Sequence, residues 1–153
     1  METNKKCFMF SGKGNGAEKL LSFDNALIDA QVANYNLVKI SSIMPPYCTF
    51  SKIIDVGQGG ILFSAYASIT QKGEGIISAS VAVGIPEDER NVGVIMEYSG
   101  LCDKKTSESR VIDMVAFAMA TRKVRVKEIK SLALEKILSN EHYSSVVSGI
   151  ALW

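Results

Sequence analysis

Apolar residues recur along this chain in short blocks bounded by glycine, proline and small polar residues, the pattern of a sheet-rich domain with a few helices. The block at 7–10, Cys-Phe-Met-Phe, predicts a first strand, and Ser-Gly-Lys-Gly-Asn-Gly at 11–16 predicts a flexible loop that ends it. Residues 22–31 set Phe23, Leu27 and Ala30 at helical spacing, with Ser22 or Asp24 as the cap. Residues 36–40 predict a strand whose pairing must stop by Pro45 and Pro46, because neither can donate a ladder hydrogen bond. Windows 60–70, 75–85 and 92–98, rich in Val, Ile, Ala and Ser between glycine-containing turns, predict three more strands under close cover. The patterns at 107–122 and 127–138 predict helices, and 143–153 a final strand. Strands gathered mid-chain with helices before and after them predict an α+β fold: a layered αββα-type sandwich of largely antiparallel sheet with helices packed on it.

A length of 153 residues suits one domain, and 47% hydrophobic against 22% charged residues excludes disorder or a coiled coil as the main reading. Seventeen basic against 16 acidic residues leave a net charge of +1, too little to recruit nucleic acid or an anionic membrane. The basic cluster at 122–130 is expected to be a solvated helix face. Cys7, Cys48 and Cys102 are far apart, odd in number and without a CxxC pair, which argues against a disulfide framework or a zinc site and for reduced thiols. Early charges at Glu2, Lys5 and Lys6 and the short apolar run after them do not make a signal peptide. No stretch reaches the roughly 18 apolar residues of a membrane span, so a cytoplasmic protein is expected.

Familiar catalytic patterns are few. The GxGxG spacing at 12–16 matches neither a P-loop nor a dinucleotide fingerprint, and the lone His142 lacks the context of a catalytic base. The adjacent pair Ser41-Ser42, just before the double proline, is more suggestive. A serine hydroxyl can attack the carbonyl carbon of the preceding residue, turning an amide into an ester, where strain and oxyanion donors assist. Beta-elimination of such an ester cuts the chain and leaves a group that hydrolyses to a pyruvoyl ketone. That ketone can form a Schiff base with an amine substrate and accept its electrons.

The run Asn34-x-Asn36-Leu-Val-Lys-Ile-Ser41-Ser42-Ile-Met-Pro-Pro46 resembles the processing site of pyruvoyl-dependent arginine decarboxylases. The same resemblance extends to Ser22-Phe-Asp24-Asn-Ala-Leu27 upstream, to Gly93-Val-Ile-Met-Glu97-Tyr-x-Gly100 with Cys102 downstream, and to the ending Ala151-Leu-Trp153. It implies cleavage between the serines into a β chain 1–41 and an α chain 42–153, with Ser42 becoming the pyruvoyl group. It further implies that Asn36 assists at the cleavage and active site and that Glu97 donates a proton. Asp24 would recognise the arginine guanidinium, Leu27 would line the substrate's methylene chain, and the chain would assemble as a homo-oligomer, a trimer or hexamer.

Elementary chemistry is compatible with these roles. A carboxylate and a guanidinium form a bidentate, charge-assisted pair, and partial burial of Glu97 at the end of strand 92–96 would raise its pKa toward neutrality. Asp24 as a cap, Glu97 as a solvated strand end and Asn36 as an edge-strand amide are the plain alternatives. Asn36 and Ser42 share a strand face, yet a straight strand would hold them about 20 Å apart. Either the chain folds back between them, or Asn36 serves Ser42 of a neighbouring subunit. Tyr35, Tyr47 and Cys48 depart from the family pattern and leave substrate preference open. A pyruvoyl enzyme for another amino acid and an uncleaved, non-catalytic oligomer remain the alternatives.

Overall fold

The structure, a computed structural model, describes residues 4–153; Glu2 of the early charges lies outside the described residues. The elements run β1 (Lys6–Gly16), α1 (Lys19–Asp29), β2 (Asn36–Lys39), β3 (Ile43–Met44), β4 (Thr49–Phe50) and β5 (Ile61–Gln71). They continue as β6 (Ile76–Pro86), β7 (Gly93–Gly100), α2 (Lys104–Thr121), β8 (Val126–Ile137) and β9 (Tyr143–Leu152). One sheet has the order β2-β5-β9-β1-β4 and the other β3-β7-β6-β8. Among the described residues only the β1–β4 and β2–β5 pairings are parallel. Among the described residues no helix is long and apolar enough to cross a membrane.

Alternation of side chains along each strand separates the layers. On β9, Val146, Ile150 and Leu152 face the second sheet and meet Ile77, Val81, Val83 and Ile95 there. Val147 and Ala151, between them in sequence, face α1 together with Phe10, Ala26 and Ala30. On the far side, Ala82 and Val94 pack against Val111, Val115 and Met119 of α2. The layers are therefore helix, sheet, sheet, helix, as the element pattern predicted. The many strand serines fit because their hydroxyls are used. Ser148 Oγ donates to the Ala79 carbonyl across the sheets at 3.0 Å, and Ser80 Oγ to the Ser107 carbonyl of α2 at 2.9 Å.

Residues 11–16 are not a loop. They continue β1, pairing with β9 as far as Gly16 opposite Tyr143. Gly12, Gly14 and Gly16 alternate onto the face under α1, where an added Cβ would lie 2.1 Å from the Ala26 carbonyl oxygen, 2.5 Å from the Ala26 nitrogen and 2.5 Å from the Ser22 nitrogen. Glycine here lets a helix backbone lie directly on a strand. Ser22 is not a cap either: α1 starts at Lys19 after Glu18, and Ser22 is buried three residues inside it, hydrogen-bonded to Ser145 Oγ at 2.7 Å.

The expected helix at 127–138 is the strand β8, paired with β6 throughout, so the chain has one helix, then two strands, after β7. Its apolar residues have helix-like spacing for two reasons. A register shift opposite Pro86, which has no N–H to pair, flips the alternation near Lys127. Both faces are also covered: Leu132 and Leu134 pack into the inter-sheet core, while Val126 and Ile129 pack toward α2. Pairing with β6 overrides the helix preference of Leu, Ala, Glu and Lys. The basic cluster at 122–130 is consequently a helix exit, with Lys123 at φ 56°, followed by the start of this strand.

Candidate active site

The chain changes sheets at Ser41-Ser42. Parallel pairing of β2 with β5 extends through the Ile40 N–H, which donates to the Ser64 carbonyl at 3.1 Å. Three residues later Ile43 pairs with Val94 in the other sheet. Between them the Ser42 carbonyl accepts the Ile95 N–H at 2.8 Å, which pins the crossing to β7. Pro45 stops β3 after two residues, and the turn that follows carries Tyr47 at φ 60°.

Glu97 lies inside β7 opposite Val81, not at a strand end. It shares the face of Ile95, two residues and about 7 Å from where Ser42 is anchored. Beyond it Ser99 Oγ donates to the Ser68 carbonyl at 3.0 Å, tying the two sheets together. Half-burial raises the Glu97 carboxyl above its ordinary pKa, and the nearby Lys39 ammonium partly opposes that rise. Lys39 Nζ also lies 4.6 Å from the Tyr66 ring centroid, a cation–π contact that holds it at this end of β2. Sequence reasoning gave Lys39 no role, although it stands two residues before the serine pair.

The other expected site residues lie elsewhere. Asn36 opens β2, its Nδ2 donating to the Gly59 carbonyl at 2.8 Å. From there the strand runs extended for about 13 Å before it leaves for a sheet about 10 Å away, so it does not fold back on itself. Asp24 and Leu27 are on α1, beyond the first sheet; Leu27 turns inward to the core and Asp24 outward to solvent. A single chain thus gathers Ser41, Ser42 and Glu97 and leaves Asn36, Asp24 and Leu27 apart. Asp24 stands among exposed apolar residues, Leu20 at 76%, Leu21 at 55% and Ile28 at 58%. A second exposed apolar group, Val38, Ile43 and Phe63, surrounds the sheet crossing.

These features define a small layered α+β protein with a serine pair fastened beside a half-buried acid. The profile of the pyruvoyl-dependent arginine decarboxylase family matches residues 6–153, and the chain belongs to that family. Relatives that carry the name pyruvoyl-dependent arginine decarboxylase include one from Methanococcus aeolicus, 39% identical over 95% of this chain and 87% of its own length. Others come from Methanocaldococcus jannaschii, at 35% identity with the same coverage, and Thermococcus sibiricus, at 34% over 98% of this chain and 96% of its own. Family membership brings a pyruvoyl prosthetic group with it.

Proposed function

We propose that this chain cuts itself between Ser41 and Ser42, giving a β chain 1–41 and an α chain 42–153, and decarboxylates L-arginine to agmatine and carbon dioxide with a pyruvoyl group derived from Ser42. The observation that carries the reading is the bond from Ile95 N–H to the Ser42 carbonyl, which holds Ser42 at an exposed sheet crossing on the strand that bears Glu97. A hydroxyl in that place suits the group, since a cut there severs one connection between the two sheets and leaves both ends anchored by their own ladders.

The pyruvoyl ketone supplies an electron sink beside the carbon that loses carbon dioxide. The chain's own residues do the rest. Glu97, whose hold on its proton is strengthened by burial, returns a proton to that carbon. Asp24 receives the guanidinium, Leu27 lines the methylene chain, and Asn36 assists at Ser42. Because one chain does not bring these three to Ser42, they come from a neighbouring copy in a homo-oligomer. The two apolar groups, one around Asp24 and one around the crossing, are unlike surfaces. Contact between unlike surfaces closes rings, consistent with a trimer or a hexamer built of two. We place the protein in the cytoplasm with its free amino-acid substrate.

A mass spectrum of the purified protein together with an agmatine assay tests this. Two fragments split after Ser41, the larger with a blocked N-terminus, and release of agmatine from arginine are expected. One intact chain without activity would overturn the proposal, and turnover of another amino acid in preference to arginine would overturn the Asp24 assignment.

A further inference from the structure

The β1–β4 pairing has a consequence outside the decarboxylation site. Lys6 is opposite Thr49 and Cys7 opposite Phe50 in parallel register. Cys48, two residues before Phe50, falls on the same face as Cys7. Cys7 is fully buried in the inter-sheet core, and Cys48 packs against the same cluster. Cys48 also lines a cavity of about 240 Å³, open to solvent, whose wall includes Tyr47, Phe50 and Lys130. Lys130 Nζ sits 4.6 Å from the Phe50 ring centroid. Cys102 stands apart, with its sulfur beside Ser78 Oγ at 3.4 Å.

We infer that Cys7 and Cys48 form a reversible disulfide, made by exchange with a small-molecule disulfide that enters through the cavity, and that this bond is a covalent clasp between the two processed chains. The clasp follows from the processing proposed above, which places Cys7 in 1–41 and Cys48 in 42–153; the disulfide itself does not depend on it. Cys48 is the attacking thiol. It is the accessible one, and the neighbouring Cys7 lowers its pKa, while Cys48 and burial raise that of Cys7. The Cys48 thiolate attacks one sulfur of the small disulfide and expels the first thiolate, leaving a mixed disulfide. The Cys7 thiol then loses its proton, aided by the positive charge of Lys130, and attacks the Cys48 sulfur, expelling the second. Two protein thiols and one small disulfide become one protein disulfide and two small thiols, so electrons balance. Closing the bond requires Cys48, just before the two-residue β4, to shift toward Cys7.

The test treats the purified, processed protein with oxidised glutathione, then alkylates under denaturing conditions with and without dithiothreitol. Three thiols should react before oxidation and one, Cys102, after it. On a non-reducing gel the two fragments should run as one species that dithiothreitol separates. Cys48→Ser and Cys7→Ser should abolish the linked species, and Cys102→Ser should keep it. Persistence of three free thiols, a glutathione adduct that stays on Cys48 with Cys7 free, or a bond through Cys102 would each overturn the inference. A chain that is never cut gives one band under all conditions, but the drop from three thiols to one still decides the disulfide, so the two proposals fail separately.

Discussion

The Ser42 carbonyl and the Ile95 amide, 2.8 Å apart, join the point where the chain leaves one sheet to the strand it enters in the other. Residues before this bond belong to β1, α1 and β2, all on the first sheet or its helix; β3 begins the second sheet just after it. A cut on its N-terminal side therefore divides connectivity without dividing the core.

That division predicts that the processed fragments stay together. β1 lies between β9 and β4 and pairs with β9 from Cys7 to Gly16, and its Phe10 is buried. The fragments should co-elute as one folded unit under native reducing conditions and part only in denaturant. Ser42→Ala should remain a single chain, inactive, and melt within a few degrees of the processed protein; cleavage of that variant would remove the Ser42 hydroxyl from the mechanism.

As the proposed proton donor, Glu97 should link activity to pH. Its folded pKa lies above its unfolded value, so the native state binds more protons, and its share of stability declines as pH rises from the unfolded pKa through the folded one. Glu97→Gln should remove that part of the slope and leave the protein no less stable at pH 8. Its turnover should fall by about 10²-fold or more with cleavage retained. Urea titrations at several pH values, with agmatine assays alongside, check both.

Lys39 pulls the Glu97 pKa down. Lys39→Met takes that charge away, so Glu97 holds its proton to higher pH and the alkaline limb of the kcat profile should shift upward, with cleavage intact. An unshifted limb would mean that Glu97 does not set it.

Asp24 is exposed on α1 and in no ion pair among the described residues, so its removal should leave folding and cleavage alone. If it receives the guanidinium from a neighbouring copy, Asp24→Asn costs one partner of a desolvated charge pair, and kcat/KM for arginine should fall by about 10²-fold. Unchanged turnover would remove Asp24 from the substrate site.

The contact between β1 and α1 makes a stability prediction. Gly14→Ala places a methyl 2.5 Å from the Ala26 nitrogen, backbone that moves only if the helix lifts. A loss of about 1–3 kcal/mol is expected from overpacking, read as a lower urea midpoint. Gly57→Ala, which meets nothing within 4 Å, is the control.

Much of this protein was legible in its local patterns. Strand runs such as 75–85, the body of α2 from Ser107 onward and the stop at Pro45 follow from periodicity and missing donors, which act over a few residues, whereas α2 itself starts earlier, at Lys104 after its cap Asp103. The serine pair with Asp24, Asn36 and Glu97 could be picked out as candidates because resemblance needs only residue identities in order. Long-range partners decided what remained. The glycines at 12–16 read as a loop until α1 is seen lying on them, and β8 reads as a helix until β6 pairs with it and the shift opposite Pro86 resets its alternation. Lys39 beside Glu97, and Cys7 against Cys48, are residues far apart in sequence that only the meeting of strands makes neighbours. A sequence can say which side chains want burial or a turn, but the backbone that comes to lie across from them is fixed by the packing of the whole chain.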